Sequence, residues 1–166
     1  AKTLLNYYGE NFPVENFLQD TRRIFNRYID TCGVPIKAGV TELLMFLKTN
    51  GYMTALASSS DRAIVEKELK SANIYKYFDK IVCGDEVTHS KPDPEIFITA
   101  AEKTGFDKSE CLIVEDSSNG LRAGIASGIR TVFIKDIVDV PSEITEKVFA
   151  SCDDLSGVIG IITQIR

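Results

Sequence analysis

The stretch Val114–Gly124, VEDSSNGLRAG, places two carboxylates, Glu115 and Asp116, where an apolar run stops and a Ser/Asn/Gly turn begins. The run leading into it, CLIVED (111–116), reads as a strand, and NGLRAGIASG (119–128) reads as a helix. Apolar residues at successive positions imply a strand buried on both faces, as in a parallel sheet covered by helices on both sides. Adjacent carboxylates at the end of such a strand repel each other, so they need a cation or protons.

The same alternation extends outward in both directions. Residues 38–51 read as a helix stopped by Gly51, 52–58 as a strand, 60–74 as a helix and 80–86 as a short strand. A helix over 92–105 follows, with Pro in its first turn and Gly105 after its end. Beyond Gly128 come a strand over 130–136, a short edge strand at 149–152 and a last helix over 154–165. Upstream, the first 33 residues read as helical, with Val14, Phe17, Leu18, Thr21, Ile24, Phe25, Tyr28 and Ile29 on one face. Cys32-Gly33-Val34-Pro35 ends that segment, so a domain boundary is expected between 1–34 and 35–166. The expected fold class is α/β, a Rossmann-like parallel sheet with helices on both faces.

The 166 residues are 44% hydrophobic and 26% charged, with a net charge of −5, ordinary for a globular protein. That balance offers no basic face for nucleic acid or anionic lipid. No apolar run approaches the roughly 20 residues of a membrane span, and the first residues lack the pattern of a signal peptide. The four cysteines, Cys32, Cys83, Cys111 and Cys152, form no C-x-x-C pair and read as thiols of a reducing cytoplasm, the expected location.

In parallel sheets the ligand sits beyond the carboxyl ends of the strands. Ser58, Ser59 and Ser60 follow the strand 52–58, just before a helix start at Asp61 and Arg62; hydroxyls and free N–H groups there suit an anion. Lys91 follows the strand 80–86, held between Ser90 and Pro92, a positioned charge suited to phosphate. His89, the only histidine, lies in the same loop with no paired base in sequence and reads as a surface or supporting residue. Glu115 and Asp116 follow the third strand, and an all-oxygen donor set favours Mg²⁺ over zinc. Each feature has a plain structural alternative: a serine that only caps its helix, a solvated lysine, and one acid capping while the other faces water. Taken in order, hydroxyls, lysine and acidic pair make the parts of a phosphoryl-transfer site.

With those residues in view, the chain from Pro35 onward resembles the haloacid dehalogenase superfamily, and within it the branch of beta-phosphoglucomutase and related sugar-phosphate phosphatases. ALASSS is similar to the second motif of that superfamily, with Ser58 at the phosphate-binding hydroxyl; SKPDPEIF is similar to the third, with Lys91; VEDSSNGLRAG is similar to the fourth, with Glu115 and Asp116 as the acids serving Mg²⁺. The resemblance implies a Mg²⁺-dependent phosphatase of small phosphorylated metabolites that works through an aspartyl-phosphate, with Ser59, Ser60 and Arg62 near the substrate. It also implies a first motif, D-x-D-G-T, on a central strand lying between the strands of the second and fourth motifs. The chain has no such motif: Asp136 and Asp139 are three apart, and Asp153 and Asp154 are adjacent. Residues 1–34 are therefore expected to be the end of a helical cap, residues 35–166 a core lacking its first strand, and the missing N-terminal segment of the same protein the partner that brings the nucleophile. Unpaired backbone groups cost on the order of 1–3 kcal/mol each when buried, so an open sheet centre is a large penalty. The alternatives are a phosphosugar mutase, disfavoured because Asp61-Arg62 stands where a Lys-Asn pair is expected, and an inactive or non-catalytic phosphate- or Mg²⁺-binding domain. A receiver module fits poorly, because Lys91 precedes the acidic pair.

Overall fold

The computed structural model describes residues 2–165, with the side chains of residues 2 and 3 outside the description. The chain divides into two units, Ala1–Pro35 and Ile36–Arg166. In the first, the expected helical segment is two helices, α1 (Lys2–Tyr8) and α2 (Val14–Cys32). The break falls at Gly9, which takes φ +92°, and at Pro13, which has no N–H to donate. Tyr8 stacks on Phe12 at 4.7 Å and Phe12 meets Phe17 at 5.4 Å, so aromatic packing closes the turn. The apolar stripe of α2 is there, but Ile29 alone is buried; Phe17, Ile24, Phe25 and Tyr28 are exposed. Gly33 stops the helix at φ +78°, its N–H returning to the Ile29 carbonyl at 2.9 Å.

The second unit alternates as read: α3 (Val40–Thr49), β1 (Ala55–Ala57), α4 (Arg62–Ser71), β2 (Lys80–Val82), α5 (Glu95–Thr104), β3 (Leu112–Glu115), α6 (Ser118–Ser127), β4 (Arg130–Ile134), α7 (Ser142–Thr145), β5 (Ala150–Cys152) and α8 (Gly157–Gln164). All five strands are shorter than expected, β1 and β2 by the most. β1 starts at Ala55 instead of residue 52, and residues 84–86 form a single 3₁₀ turn where strand was expected. That turn forms because the Glu86 carboxylate accepts the Cys83 N–H at 3.0 Å, ending the extended run. Helix α7, one turn after Pro141, is an addition to the sequence reading.

All pairing is parallel, and the strands fall into two sheets, β1-β2 and β3-β4-β5. No ladder joins β1 to β3 among the described residues. Side chains join the two sheets instead: Val82 of β2 and Ile113 of β3 share one buried cluster with Ile96, Phe97, Ala100 and Ala101 of α5 and Ala123 of α6. The opposite faces are covered by α4, through Val65 and Leu69, and by α3 and α8, through Leu43, Val158 and Ile162. Within β4 the alternation is strict. Val132 and Ile134 face α3 and α8, whereas Phe133 packs with Leu121 of α6 and Ile144 of α7. The mixed α/β architecture, with parallel strands and helices on both faces, is the one expected from the sequence.

Helix α6 lies close on β4 because Gly124 has no side chain. A Cβ there would meet Thr131 Oγ1 at 2.6 Å and Cγ2 at 2.9 Å, and Thr131 is 2% exposed with no room to retreat. Gly124→Ala should therefore destabilise the protein by about 1–3 kcal/mol in urea titration. Thr131→Ala in the same background should recover part of the loss, because it removes both clashing atoms.

Candidate active site

The carboxyl ends of β1, β2 and β3 bring the expected residues to one region. Lys91, on the loop between β2 and α5, places its ammonium 2.8 Å from Glu115 Oε2. Both side chains are buried, at 12% and 10% exposure, so this ion pair is shielded from solvent. The same ammonium donates to the Ala57 carbonyl at 3.3 Å and lies 4.6 Å from the centre of the Phe97 ring. Lys91 therefore bridges the end of β1 and the end of β3, the two strands that share no ladder.

Glu115 Oε1 is taken up as well. It accepts the Ser117 hydroxyl at 2.8 Å, the Ser117 N–H at 3.0 Å and the Asp116 N–H at 3.2 Å. Burial pushes its pKa up, but the Lys91 charge and the Lys91 and Ser117 hydrogen bonds outweigh it and hold the carboxyl below its ordinary range. Ser117 then caps α6, its Oγ accepting the Gly120 N–H at 3.0 Å. Gly120 is dictated by the same carboxylate: a Cβ there would stand 2.0 Å from Glu115 Cδ.

Asp116 behaves differently. It lines a cavity of about 580 Å³ together with Ser59, Ser90, Lys91, Ser117, Ser118, Asn119, Asp136, Val138 and Val140. Its carboxylate accepts a short hydrogen bond from Lys37, whose ammonium also reaches Asp136 at 2.6 Å. Successive residues of a strand point to opposite sides, which is why the two neighbouring acids separate into one buried and one open to the cavity.

The second-motif residues are split. Ser59 lines the cavity. Ser58 is outside that lining and accepts the Ser60 N–H at 3.2 Å, which leaves its own hydroxyl proton free to donate. Ser60 supports the loop: its carbonyl accepts the Gly84 N–H at 2.9 Å, and Gly84 is obligatory because a Cβ there would lie 2.3 Å from the Ser59 carbonyl oxygen. Arg62 is outside the cavity lining and turns to the Ile81 carbonyl at 2.7 Å and to Glu86. His89 is outside it too, paired with Glu95 at 3.0 Å; Glu95 accepts the Thr88 and His89 N–H groups at 2.7 and 2.8 Å and so closes the loop that carries Lys91. The four cysteines are free thiols, Cys32 exposed and Cys83 buried.

Two site residues belong to no motif: Asp136, whose spacing of three from Asp139 makes no D-x-D, and Lys37. Their position two residues after β4 and just before α3 was the available signal, since both are ends of elements that border the sheet.

The family described as haloacid dehalogenase-like hydrolase matches residues 1–134. Among relatives, the bifunctional riboflavin kinase/FMN phosphatase of Arabidopsis thaliana is 33% identical over 138 residues, 82% of this chain and 36% of that protein. The phosphorylated carbohydrates phosphatase of Thermotoga maritima is 31% identical over 124 residues, 75% of this chain and 55% of that protein. The chain thus spans about a third to a half of the length of these relatives. A solved beta-phosphoglucomutase of Clostridium difficile superposes with a TM-score of 0.74 at 23% identity, covering 96% of this chain and 72% of that one. The chain belongs to the haloacid dehalogenase-like hydrolase family, and its fold is that of the beta-phosphoglucomutase-like branch.

The ion pair gives a pH prediction. Because the folded pKa of Glu115 lies below the unfolded one, its stabilisation is complete above the unfolded value of about 4.3 and is lost as pH falls through the folded value. Unfolding free energy measured from about pH 3 to 7 should fall less steeply at the acid end in Glu115→Gln than in the wild type. Glu115→Ala, which leaves Lys91 buried without its counter-charge, should cost about 3–5 kcal/mol at neutral pH.

Proposed function

We propose that this chain carries the phosphate-binding and metal-binding part of a Mg²⁺-dependent phosphatase acting on small phosphorylated metabolites of the sugar-phosphate kind. The observation that carries this reading is the buried Lys91–Glu115 pair beside a cavity walled by hydroxyls and by Asp116. The phosphatases among its relatives point to the same chemistry.

Lys91 has three protons to donate. One goes to Glu115 and one to Ala57, so the third is free for a phosphoryl oxygen, and the Glu115, Ala57 and Phe97 contacts on three sides fix its direction. Such a preset charge stabilises negative charge that builds on phosphoryl oxygens without reorganising. Ser58 can donate its free hydroxyl proton to a second oxygen, with Ser59 beside it. A divalent cation fits Asp116: the Lys37 ammonium already stands there as a cation between two carboxylates, and the donors are hard oxygens. When bound, Mg²⁺ would supply charge neutralisation for the phosphoryl group. Glu115, with both oxygens engaged, serves by orienting Lys91.

We assign the nucleophile to an aspartate on a further segment of the same protein, seated as a strand between β1 and β3. The separation of those strands into two sheets supports that position, as does the Lys91 bridge between their ends. The aspartate carboxylate would attack phosphorus while the bond to the leaving alcohol oxygen breaks. A second aspartate would protonate that oxygen, then take a proton from the water that hydrolyses the aspartyl-phosphate.

The test is phosphate release from a panel of sugar phosphates with Mg²⁺, using the protein with and without an upstream D-x-D segment. Activity should appear only with the segment, and Lys91→Met should lower kcat/KM by about 10²–10³-fold. Isomerisation of a sugar phosphate without net release of phosphate would move the assignment to a mutase. Undiminished hydrolysis in Lys91→Met, or full hydrolysis by the 166 residues alone, would overturn the reading.

A further inference from the structure

Lys37 has no place in the chemistry just described, yet it holds the Asp116 carboxylate. Its ammonium bridges Asp116, which follows β3, and Asp136, which follows β4. These strands are paired, with Glu115 opposite Phe133, so the two acids project from neighbouring strand ends on the cavity wall. The backbone that presents Lys37 is fixed. Gly39 takes φ +81° and packs so closely that a Cβ there would lie 2.3 Å from the Ser156 N, while the Ala38 carbonyl accepts the Leu155 N–H at 3.3 Å. The side chain itself is a flexible four-carbon stem ending in a point charge, 42% exposed. Two carboxylates and one ammonium leave one net negative charge. A divalent cation arriving at Asp116 must therefore displace the ammonium or sit against its charge.

We propose that Lys37 is a tethered competitor for the cation site: it occupies Asp116 in the metal-free protein and withdraws to Asp136 when a divalent cation binds. This rests on the reading of Asp116 as a metal ligand. Asp136 is then the residue that keeps the displaced ammonium within reach, so the site is never an unneutralised pair of acids. Mg²⁺ occupancy would be set by this competition as well as by the ligands, and the protein would require a higher free Mg²⁺ concentration than its carboxylates alone demand.

The experiment is Mn²⁺ binding to the full protein by isothermal titration calorimetry, without substrate and at low ionic strength. Lys37→Met should bind Mn²⁺ about three- to fivefold more tightly, as expected for removing a partly exposed competing charge. Lys37→Arg keeps the charge and should stay within about twofold of wild type. Raising the salt concentration should shrink the difference between Lys37→Met and wild type, because the competition is electrostatic. Thermal melts establish that each variant is folded, and Lys37→Gln provides a polar neutral replacement should the methionine fail to fold. Unchanged or weaker Mn²⁺ binding in the neutral variants, with Asp116→Asn still weakening it, would overturn the Lys37 proposal alone. Unchanged binding in Asp116→Asn would overturn the metal reading and the proposal with it. Loss of inorganic phosphate binding in Lys37→Met with no change for Mn²⁺ would overturn the proposal by making Lys37 a substrate cation.

Discussion

A lysine and a glutamate, both nearly excluded from water, face each other across the gap between two sheets. The Lys91–Glu115 contact imposes conditions on everything near it. A buried ion pair repays the loss of hydration only when its remaining donors and acceptors are also satisfied. Here nearly all are: Ala57 and Phe97 flank the lysine, which keeps one proton toward the cavity, and Ser117 with the Asp116 N–H completes the glutamate. Removing any of these partners strands a charge in a confined place. That constraint explains the glycine at position 120, which leaves room for the carboxylate, and the serine at 117, which both binds Glu115 and caps α6.

The same contact organises the division of labour between the two adjacent acids. Glu115 points into the protein and is consumed by Lys91; Asp116 points to the cavity and pairs with the half-exposed Lys37. Two neighbouring carboxylates at a strand end thus avoid mutual repulsion by facing different cations, each supplied by a different loop. On the proposed reading, the Lys91–Glu115 pair would supply the immobile cation that receives phosphoryl oxygens, and Asp116 the ligand that accepts a metal.

The strand arrangement supports this division. β1-β2 and β3-β4-β5 are separate ladders held together by a shared apolar layer under α5 and by one ammonium at their carboxyl ends. Apolar packing is non-directional, so it can hold two sheets at a distance that ladder hydrogen bonds alone would not tolerate. Every strand pairing observed is parallel, within both ladders.

Much of this was legible in the residues themselves. Strand and helix order from Pro35 on, the parallel sheet, and the gathering of Lys91, Ser59 and Asp116 at the strand ends all follow from periodicity, turn residues and the rule that ligands sit beyond the carboxyl ends of parallel strands. Element ends were read less well. The 3₁₀ turn at residues 84–86 depends on one side-chain bond from Glu86, and the turn between α1 and α2, set by Gly9 and Pro13, is closed by aromatic packing around Phe12. The family resemblance sets Arg62 near the substrate; in the structure its guanidinium goes to the Ile81 carbonyl of β2 and to Glu86 in the turn that follows. Lys37 and Asp136 are 99 residues apart and carry no motif, so nothing local marks them. Local sequence determines where a chain extends, coils and turns, because those choices depend on each residue and its near neighbours. Which carboxylate meets which ammonium is decided only when distant strand ends are brought side by side, because charges act across space and not along the chain.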